Sequence, residues 1–400
     1  MKSFRKLSDF DLENKTVLLR IDLNVPIVRG KITDITRIER VIPTIEYLIA
    51  KKAKIILLSH YGRPDGKFAI DMSLSPLTDA ISNILNGKEI KFGVDILSSS
   101  TKETISKMKP GEIMLLENLR FHAGEENNDI EFARKIAELG DIYINDTFSC
   151  SHRKHASIHA IATLLPSGAG LLLQEELDNL KKYLEQPKHP IIAIVGGAKV
   201  STKIDLLNSL ISKVDTIFIA GAMANTFLYV KGHNIGQSKI ETDFLEVANN
   251  ILKQAEMQNC TIILPIDVVT TKELCDEPKY KVTKLDQVEN DDMIFDIGPK
   301  TIMYLIGQLE LNKTVIWNGP LGAFEHKPFD IGTVTIAQTI SELTAENKLI
   351  SVIGGGDVVS AVTNAGLGNN FTYVSTGGGA FLEWMEGKTL PGVEVLCTKT

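Results

Sequence analysis

The stretch IIAIVGGAKVSTK, residues 191–203, indicates most directly how this chain folds. Its first five residues form a short, β-branched apolar run that is typical of a buried parallel strand. Two glycines end the run, and a helical pattern begins near Ser201. Such a turn leaves backbone N–H groups free at a helix N-terminus, which favours phosphate. Lys199 and Lys203 are four residues apart, which predicts one shared side of the first turn; an ordinary turn with two solvated lysines fits the stretch equally well.

Length and composition place the chain among globular proteins of more than one domain. Its 400 residues exceed the roughly 250–300 at which single cores stop growing. The apolar fraction is an ordinary 44%, and no run approaches the ~18 apolar residues of a membrane span. The polar start, MKSFRKLSDFDLENK, lacks the apolar segment of a signal peptide. We therefore expect no association with a membrane.

Cysteine usage and net charge narrow the possible partners. The four cysteines (Cys150, Cys260, Cys275 and Cys397) contain no CxxC pair, which argues against a disulfide framework or a zinc site and favours the cytoplasm. A net charge of −7 disfavours nucleic acid. An anionic substrate remains compatible, because an arginine at ~4 Å contributes roughly 4 kcal/mol at an effective dielectric of 20, whereas distant charges are screened.

Apolar strand-like runs alternate with amphipathic helical stretches along almost the whole chain. This alternation is typical of α/β domains with parallel sheets, and ten or more strands predict two sheets. A boundary is expected near residues 170–187, where LLLQEELDNLKKYLEQ reads as one amphipathic helix that ends at Pro187. The strand-like runs are TVLLRIDLNV, KIILLSH, EIMLLEN, DIYINDTF, IIAIVGG, TIFIAG, TIILPIDVV, MIFDIG, KTVIWNG, LISVIGGG and YVSTGGG.

The residues that follow these strands differ between the two halves, and ligands bind at such strand ends in open parallel sheets. The first half carries polar and basic side chains there: Asp22, Asn24, His60, Arg63, Asn118, Arg120, Asn145, Asp146 and Arg153, with Arg37 opening the first helix. The second half carries glycine: Gly196-Gly197, Gly221, Gly298, Gly319, Gly354–Gly356 and Gly377–Gly379. Arginine forks suit a small multiply anionic metabolite, and glycine turns suit a nucleotide tail. Together they predict phosphoryl transfer, which needs positioning more than covalent catalysis.

Several of these residues also have plain structural interpretations. His60 shares a loop with Arg63, but a lone histidine is often structural. The segment 152–155, which includes Arg153, fits a solvated basic loop as well as a binding loop. Asp357 fits a helix N-cap and a Mg²⁺ ligand equally well. Glu325 fits a ribose ligand or a merely exposed side chain.

Ten motifs, taken in order, resemble one family, the phosphoglycerate kinases. They are RIDLNVP (20–26), SHYGRPDG (59–66), LLENLRFH (115–122), NDTFSCSHRKHAS (145–157), GGAKVSTKI (196–204), MANTFL (223–228), DIGPKT (296–301), VIWNGPLGAFE (315–325), GGGD (354–357) and STGGGA (375–380). The resemblance implies two similar-sized three-layer α/β/α, Rossmann-like domains with parallel sheets, joined by a helix. It also implies a C-terminal tail that packs back on the N-terminal domain.

By the same resemblance, residues 1–170 bind 3-phosphoglycerate or 1,3-bisphosphoglycerate, and residues 171–187 form the interdomain helix and hinge. Residues 188–385 bind the nucleotide, and residues 386–400 form the returning tail. The implied reaction is reversible transfer of the acyl phosphate of 1,3-bisphosphoglycerate to MgADP, which gives 3-phosphoglycerate and ATP in glycolysis. Closure of the hinge would exclude water. A cytoplasmic monomer is expected.

The resemblance also assigns residue roles. Substrate contacts fall on Asp22, Asn24, Arg37, His60, Arg63, Arg120 and Arg153. Nucleotide contacts fall on Lys199, Lys203, Glu325, Gly355, Gly356, Asp357 and Val358, with Asp357 as the Mg²⁺ ligand. Arg37 and Lys203 would flank the transferring phosphoryl group, and backbone amides around Gly356 and Gly379 would help to stabilise its charge.

The chain departs from the family pattern at three places, none of which removes a predicted arginine, Lys203 or Asp357. Val358 replaces a small hydroxyl residue, Ser149–Ser151 replace small neighbours of the substrate loop, and Phe381 replaces a small residue. We therefore expect activity to be retained.

Three other classes of function share features with this chain. A dinucleotide-dependent dehydrogenase would need GxGxxG after a first strand, and GGAKVS does not have that spacing. A P-loop phosphotransferase would need GxxxxGK[ST], which is absent from the sequence. A catalytically silent metabolite-binding protein on the same scaffold is the remaining alternative; the intact Arg37, Lys203 and Asp357 argue against it.

Overall fold

The computed structural model describes residues 4–275 and 277–397. The chain divides into two compact units. The N-terminal unit comprises Met1–Asp178 together with Thr389–Thr400, and the C-terminal unit comprises Asn179–Lys388. The division therefore falls inside the helical segment that the sequence predicted between two domains.

Strands and helices alternate through both units. The strands are β1 (Thr16–Arg20), β2 (Ile27–Val28), β3 (Lys31–Ile32), β4 (Lys54–Leu58), β5 (Ile90–Gly93), β6 (Ile113–Leu116), β7 (Ile142–Asn145), β8 (Ser167–Ala169), β9 (Ile191–Val195), β10 (Thr216–Ile219), β11 (Thr261–Ile263), β12 (Asp267–Thr271), β13 (Tyr280–Lys284), β14 (Met293–Ile297), β15 (Thr314–Asn318), β16 (Ile350–Gly354) and β17 (Tyr373–Ser375). The helices are α1 (Thr36–Ala50), α2 (Leu77–Ile84), α3 (Ser99–Ser106), α4 (Ala123–Glu126), α5 (Ile130–Ala137), α6 (Leu171–Leu180), α7 (Ile204–Ile211), α8 (Ala222–Val230), α9 (Leu245–Met257), α10 (Pro299–Leu311), α11 (Ile331–Ala345), α12 (Gly356–Asn364), α13 (Gly379–Met385) and α14 (Pro391–Glu394).

The N-terminal unit is built on a six-stranded parallel sheet in the order β5-β6-β4-β1-β7-β8. Central strand β1 pairs with β4 on one side and with β7 on the other. Its apolar residues are fully buried because helices cover both faces of a parallel sheet. Helix α1 places the apolar residues of its sequence on one buried stripe, which includes Ile38, Val41 and Ile45.

The C-terminal unit is built on a second six-stranded parallel sheet in the order β11-β10-β9-β15-β16-β17. All five residues of β9 are buried, as the run IIAIV predicted. Two parallel α/β units are therefore confirmed.

A third sheet differs from the sequence-based expectation. Strands β12, β13 and β14 form an antiparallel sheet in the order β13-β12-β14. The first part of TIILPIDVV is β11, which pairs in the parallel sheet as predicted, but the last part of that run and MIFDIG do not. Pro265 lies between β11 and β12, and a proline has no N–H to continue a ladder. The chain therefore leaves the main sheet at this point and pairs locally.

The segment predicted as one helix ending at Pro187 is divided in the structure, whereas the C-terminal tail follows the prediction. Helix α6 is followed by a π-helical turn, Lys181–Glu185. In the tail, the Gly392 N–H donates to the carbonyl of Ser151 at 2.8 Å, and the Asn145 side chain donates to the carbonyl of Gly392 at 3.2 Å. The tail therefore packs on the N-terminal unit, as the resemblance implied. Among the described residues, no helix combines the length and the apolar character needed to cross a membrane.

Candidate functional site

Basic and polar side chains of the N-terminal unit follow four strands that are neighbours in the sheet. The order β6-β4-β1-β7 brings together Arg120 after β6, His60 after β4, Asp22 after β1 and Arg153 in the segment after β7. The carboxyl ends of parallel strands lie along one edge of a sheet, where α/β proteins bind ligands. The structure therefore places these four predicted substrate residues at a common edge.

Asp22 organises one side of this edge. Its Oδ2 accepts hydrogen bonds from Arg37 Nη1 at 3.0 Å and from the Ser149 hydroxyl at 2.6 Å. Arg37 also donates to the carbonyl of Asn24 at 2.9 Å. The Arg37 side chain remains 44% exposed. Arg37 is thus oriented by the protein while part of its guanidinium surface stays accessible to an anion.

Asn24 holds the loop that carries Arg63. The Asn24 side-chain carbonyl accepts from the Gly62 N–H at 3.0 Å. Gly62 has φ +62°, and a Cβ there would meet the sulfur of Met72 at 2.8 Å, so this turn requires glycine. Arg63 is exposed, and within the described residues its side chain has neither a hydrogen bond nor an ion pair. A ligand anion can therefore engage it without displacing a protein partner.

Arg120 and Arg153 add positive charge at different depths. Arg120 is buried; its Nη1 donates to the carbonyl of Gly62 at 2.7 Å, and its Nε pairs with Glu126 at 3.1 Å. Burial lowers the pKa of Arg120 from its usual value. Arg153 is half-buried, and its Nε donates to His152 Nε2 at 3.3 Å.

His60 lies among these groups and is almost fully buried. Burial, reinforced by the charge of Arg20, lowers the pKa of His60 well below its usual value, so that the imidazole is neutral near pH 7. Arg20 Nη2 lies 3.1 Å from His60 Nδ1. Sequence reasoning did not select Arg20 as a site residue, although a charged residue within the apolar run TVLLRI was a signal.

Asp22, His60 and Cys150 each offer a ligand atom, and these atoms lie within 4.8 Å of one another. This donor set would suit a transition metal. However, the Asp22 carboxylate already accepts from Arg37 and the histidine Nδ1 faces Arg20. The edge is therefore organised for an anion.

The C-terminal unit presents a half-buried lysine, Lys203, at the corresponding edge of its sheet. Lys203 Nζ donates to Asn318 Oδ1 at 2.5 Å, and the Asn318 amide donates to the carbonyl of Gly354 at 2.5 Å. Burial lowers the pKa of Lys203, while the charge of Asp357 acts in the opposite direction. Asn318, at the end of β15, was not among the predicted site residues.

The first helix after β9 starts later than the sequence suggested. Helix α7 begins at Ile204 with Lys203 as its N-cap, whereas the pattern predicted a start near Ser201. Lys199 is exposed and precedes the helix, so the prediction that the two lysines share its first turn was wrong.

The glycine-rich turn after β16 opens helix α12. Gly355 has φ +110° and is the N-cap of α12. Asp357 therefore lies in the first turn and is not the N-cap, and its side chain is exposed. Val358 is fully buried in the hydrophobic core, which leaves its backbone as the part nearest to any ligand at this helix start.

The remaining predicted residues lie at the surface or at a helix start. Glu325 is exposed after β15, and its side chain pairs with no basic residue in the described part of the chain. Gly379 is the first residue of α13 and follows Gly378, which has φ +52°. A single exposed carboxylate such as Asp357 fits Mg²⁺ bound through nucleotide phosphates, because Mg²⁺ usually takes one or two protein carboxylates in such sites.

The fold and these two edges define an α/β protein for phosphorylated ligands, with arginine side chains in one unit and glycine helix starts in the other. The family model described as "Phosphoglycerate kinase" matches residues 7–388. The chain belongs to the phosphoglycerate kinase family, a family of phosphotransferases.

Similar proteins support this membership along the full length. A phosphoglycerate kinase of Methylorubrum extorquens (strain PA1) is 51% identical over 397 residues, which cover 99% of each chain. The structure of phosphoglycerate kinase from Coxiella burnetii is 39% identical with a TM-score of 0.89, over 98% of this chain and 99% of that chain. That from Pyrococcus horikoshii OT3 is 30% identical with a TM-score of 0.84, over 98% of each chain.

Proposed function

We propose that this chain catalyses the reversible transfer of the acyl phosphate of 1,3-bisphosphoglycerate to MgADP, which gives 3-phosphoglycerate and ATP in glycolysis. The observation that carries the proposal is the arginine–histidine cluster at the edge of the N-terminal sheet. Its groups come from adjacent strands, are held by protein hydrogen bonds and leave Arg37 and Arg63 accessible. Such a cluster suits a small ligand with two anionic ends.

In the N-terminal unit, the proposed substrate residues fall into two groups. Arg37, oriented by Asp22 and by the carbonyl of Asn24, engages the reacting carboxyl end of the substrate. The second group binds the distant phosphate and consists of His60, Arg63, Arg120 and Arg153. Prior fixing of His60, Arg120 and Arg153 by protein hydrogen bonds reduces the entropy lost on binding.

In the C-terminal unit, the nucleotide phosphates bind at the glycine turn that opens α12. Gly355, Gly356 and Val358 offer backbone N–H groups at a helix start, which stabilises phosphate charge. Lys199 and Glu325 contribute to nucleotide binding, and Gly379 offers a further backbone amide. Asp357 would hold Mg²⁺, which when bound neutralises charge on the nucleotide phosphates.

Lys203 stabilises negative charge on the transferring phosphoryl group. Its ammonium is half-buried and directed by Asn318, so that little reorganisation is needed when charge develops. Arg37 acts on the same group from the substrate unit. The chemistry then requires positioning and charge stabilisation, without a covalent intermediate on the protein.

A coupled assay of ATP consumption with 3-phosphoglycerate and MgATP tests the proposal. We expect turnover by the wild type and a loss of ~100-fold or more in Arg37→Ala, since a charge-assisted hydrogen-bond pair is removed. Arg134→Ala is the matched control, because the Arg134 side chain is exposed at the surface of α5. If the wild type binds nucleotide but shows no turnover, the catalytically silent alternative replaces the proposal.

Substrate and nucleotide residues belong to different units, so the proposal includes closure of a hinge near residues 170–190 that excludes water during transfer. Small-angle scattering should show compaction only when both ligands are bound; an unchanged radius of gyration in the ternary complex would contradict closure. A monomer in the cytoplasm completes the proposal, and sedimentation equilibrium tests the monomer.

A further inference from the structure

His60 stands at one end of a buried chain of hydrogen bonds. Arg20 Nη2 lies 3.1 Å from His60 Nδ1, and Arg20 Nε donates to the Ser157 hydroxyl at 2.9 Å. The Ser157 hydroxyl donates to Glu125 Oε1 at 2.6 Å, and the Ser157 N–H donates to Oε2 at 2.9 Å. Arg20, Ser157 and Glu125 are at most 1% exposed. The chain therefore runs without contact with bulk water.

The direction of the two bonds that Arg20 makes in this chain is fixed by chemistry. A guanidinium can only donate, so His60 Nδ1 and the Ser157 hydroxyl must accept from Arg20. The Ser157 hydroxyl uses its one proton for the Glu125 carboxylate. A neutral imidazole whose Nδ1 accepts must carry its proton on Nε2.

Arg20 itself is too deeply buried to serve as a ligand for the substrate. It is 1% exposed, and its Nη1 donates to the carbonyl of Ile21. Each of the three guanidinium nitrogens thus faces a protein atom, in His60, Ser157 or Ile21.

We infer that Arg20, held in place by Ser157 and Glu125, is a positioning residue that fixes His60 as the neutral Nε2–H tautomer, which presents one N–H donor to the anionic substrate. The inference rests on the proposed role of His60 in substrate binding. It specifies that the hydrogen on Nε2 is the one donated to the substrate.

The charges around His60 favour this arrangement. Arg20, Arg120 and Arg153 oppose protonation of the ring, and Asp22 favours it. Behind Arg20, Glu125 balances the buried guanidinium, and His155 Nδ1 lies 3.9 Å from Glu125. Burial, with the charge of Arg120, lowers the pKa of His155 to about 3, so His155 adds no charge near neutral pH.

The first test measures the tautomer directly in the ligand-free full-length protein. Two-bond ¹H–¹⁵N correlation spectra of ¹⁵N-histidine-labelled protein at pH 7 resolve the eight histidines, and His60→Gln assigns the signal. We expect a protonated Nε2 and an unprotonated Nδ1. An Nδ1–H tautomer or an imidazolium at His60 would overturn the inference.

The second test separates the effect of the two-nitrogen geometry of the Arg20 guanidinium from the effect of its positive charge. Arg20→Lys keeps one positive charge but has a single nitrogen in place of the two that reach His60 and Ser157. We therefore expect a mixture of tautomers and about tenfold weaker binding of 3-phosphoglycerate by calorimetry. Arg134→Lys is the matched surface control and should change neither. A pure Nε2–H tautomer and unchanged affinity in folded Arg20→Lys would refute the role of this geometry.

Ser157→Ala provides the same test with Arg20 intact, should Arg20→Lys fail to fold. We expect loss of a single Nε2–H tautomer and weaker 3-phosphoglycerate binding; an unchanged spectrum and affinity would refute the relay. The tautomer is measured without ligand, so failure of the wild type to bind 3-phosphoglycerate would refute the proposed function and remove the substrate role from the inference. The result on the tautomer itself would stand.

Discussion

The two sheet edges of this protein offer different groups to an anion: charged side chains in one unit and backbone N–H groups in the other. In the N-terminal unit, Arg20 and Arg120 are 1% and 3% exposed and are fixed by carbonyls and carboxylates. In the C-terminal unit, the corresponding turn consists of Gly355 and Gly356, whose contribution is backbone N–H groups. The first edge depends on its arginine side chains, whereas the second depends on glycines, whose lack of a side chain leaves backbone N–H groups accessible.

This difference predicts different sensitivities to mutation. Truncating an arginine side chain at the first edge should weaken binding of an anionic ligand, because a fixed positive charge is lost. Adding a single carbon to the tightest glycine turns of the C-terminal unit should be as harmful, because neighbouring backbone fills the space beside Gly196 and Gly319. Lys203 is the exception to this comparison, since it is a half-buried charged side chain in the glycine-rich unit.

The largest effect is expected for Gly196→Ala. A Cβ at Gly196 would overlap the carbonyl oxygen of Pro320 in the backbone that follows β15. We expect the free energy of unfolding of the C-terminal unit to fall by several kcal/mol, on the order of 3 or more, with loss of ADP binding. Chemical denaturation and calorimetry measure both.

Gly307→Ala is the matched control for that substitution. Gly307 lies inside α10 with no atom within 4 Å of a Cβ, so alanine should stabilise the helix by about 0.5–1 kcal/mol. Equal stability of the two variants would show that the close approach at Gly196 does not constrain the turn.

The next effect concerns Lys203→Ala. Turnover should fall by ~10²–10³, because the substitution removes the oriented ammonium that stabilises negative charge on the transferring phosphoryl group. Binding of 3-phosphoglycerate should change little, since its proposed residues lie in the other unit. Steady-state kinetics and calorimetry measure these quantities, with exposed Lys253→Ala on α9 as control. An unchanged turnover number would exclude the proposed role.

The stability of the two units should respond to acid in opposite directions. Burial, with the charge of Arg120, lowers the pKa of His155 to about 3, so its stabilising contribution is present above pH 6.5 and is lost as the pH falls below that value. His60 contributes in the same sense. Burial raises the pKa of Asp296 to about 7, so its contribution is lost as the pH rises through 7 and is regained on acidification.

Hydrogen exchange followed by mass spectrometry at pH 7.5 and 5.5 measures this difference. We expect protection in the N-terminal unit to fall and protection in the C-terminal unit to rise, by on the order of 1–2 kcal/mol each. Burial also raises the pKa of Asp146 to about 6 and raises the pKa of Glu125. These two carboxyls oppose the histidines of the N-terminal unit but are outnumbered, because five histidines there have a lowered pKa. Shifts of the same sign in both units would contradict the prediction.

The smallest effect is expected for Val358→Thr, which restores a hydroxyl at the position where the family pattern has one. Val358 is fully buried in the core, so the new hydroxyl should lower stability by about 1 kcal/mol and alter ADP affinity by less than ~3-fold. Half-buried Val359→Thr is the control. A tenfold gain in ADP affinity would show that this side chain reaches the nucleotide.

Much of the fold followed from local sequence pattern. Apolar runs such as IIAIV became buried strands, and Gly355 took the positive φ that a glycine turn suggested. The antiparallel sheet of β12–β14 was missed, because short apolar runs have the same composition in either kind of sheet. Asn318 was missed as well, since an amide at a strand end has no distinctive spacing.

The sequence by itself determined the alternation of strands and helices, the ten ordered motifs and the contrast between basic and glycine-rich strand ends. Each of these is a local property, set by side-chain periodicity and by the backbone preferences of glycine and proline. The tertiary structure alone decided which groups touch. Arg20 meets Ser157 across 137 positions of sequence, and no local pattern encodes a contact of that separation, because it depends on how the strands are ordered in the sheet.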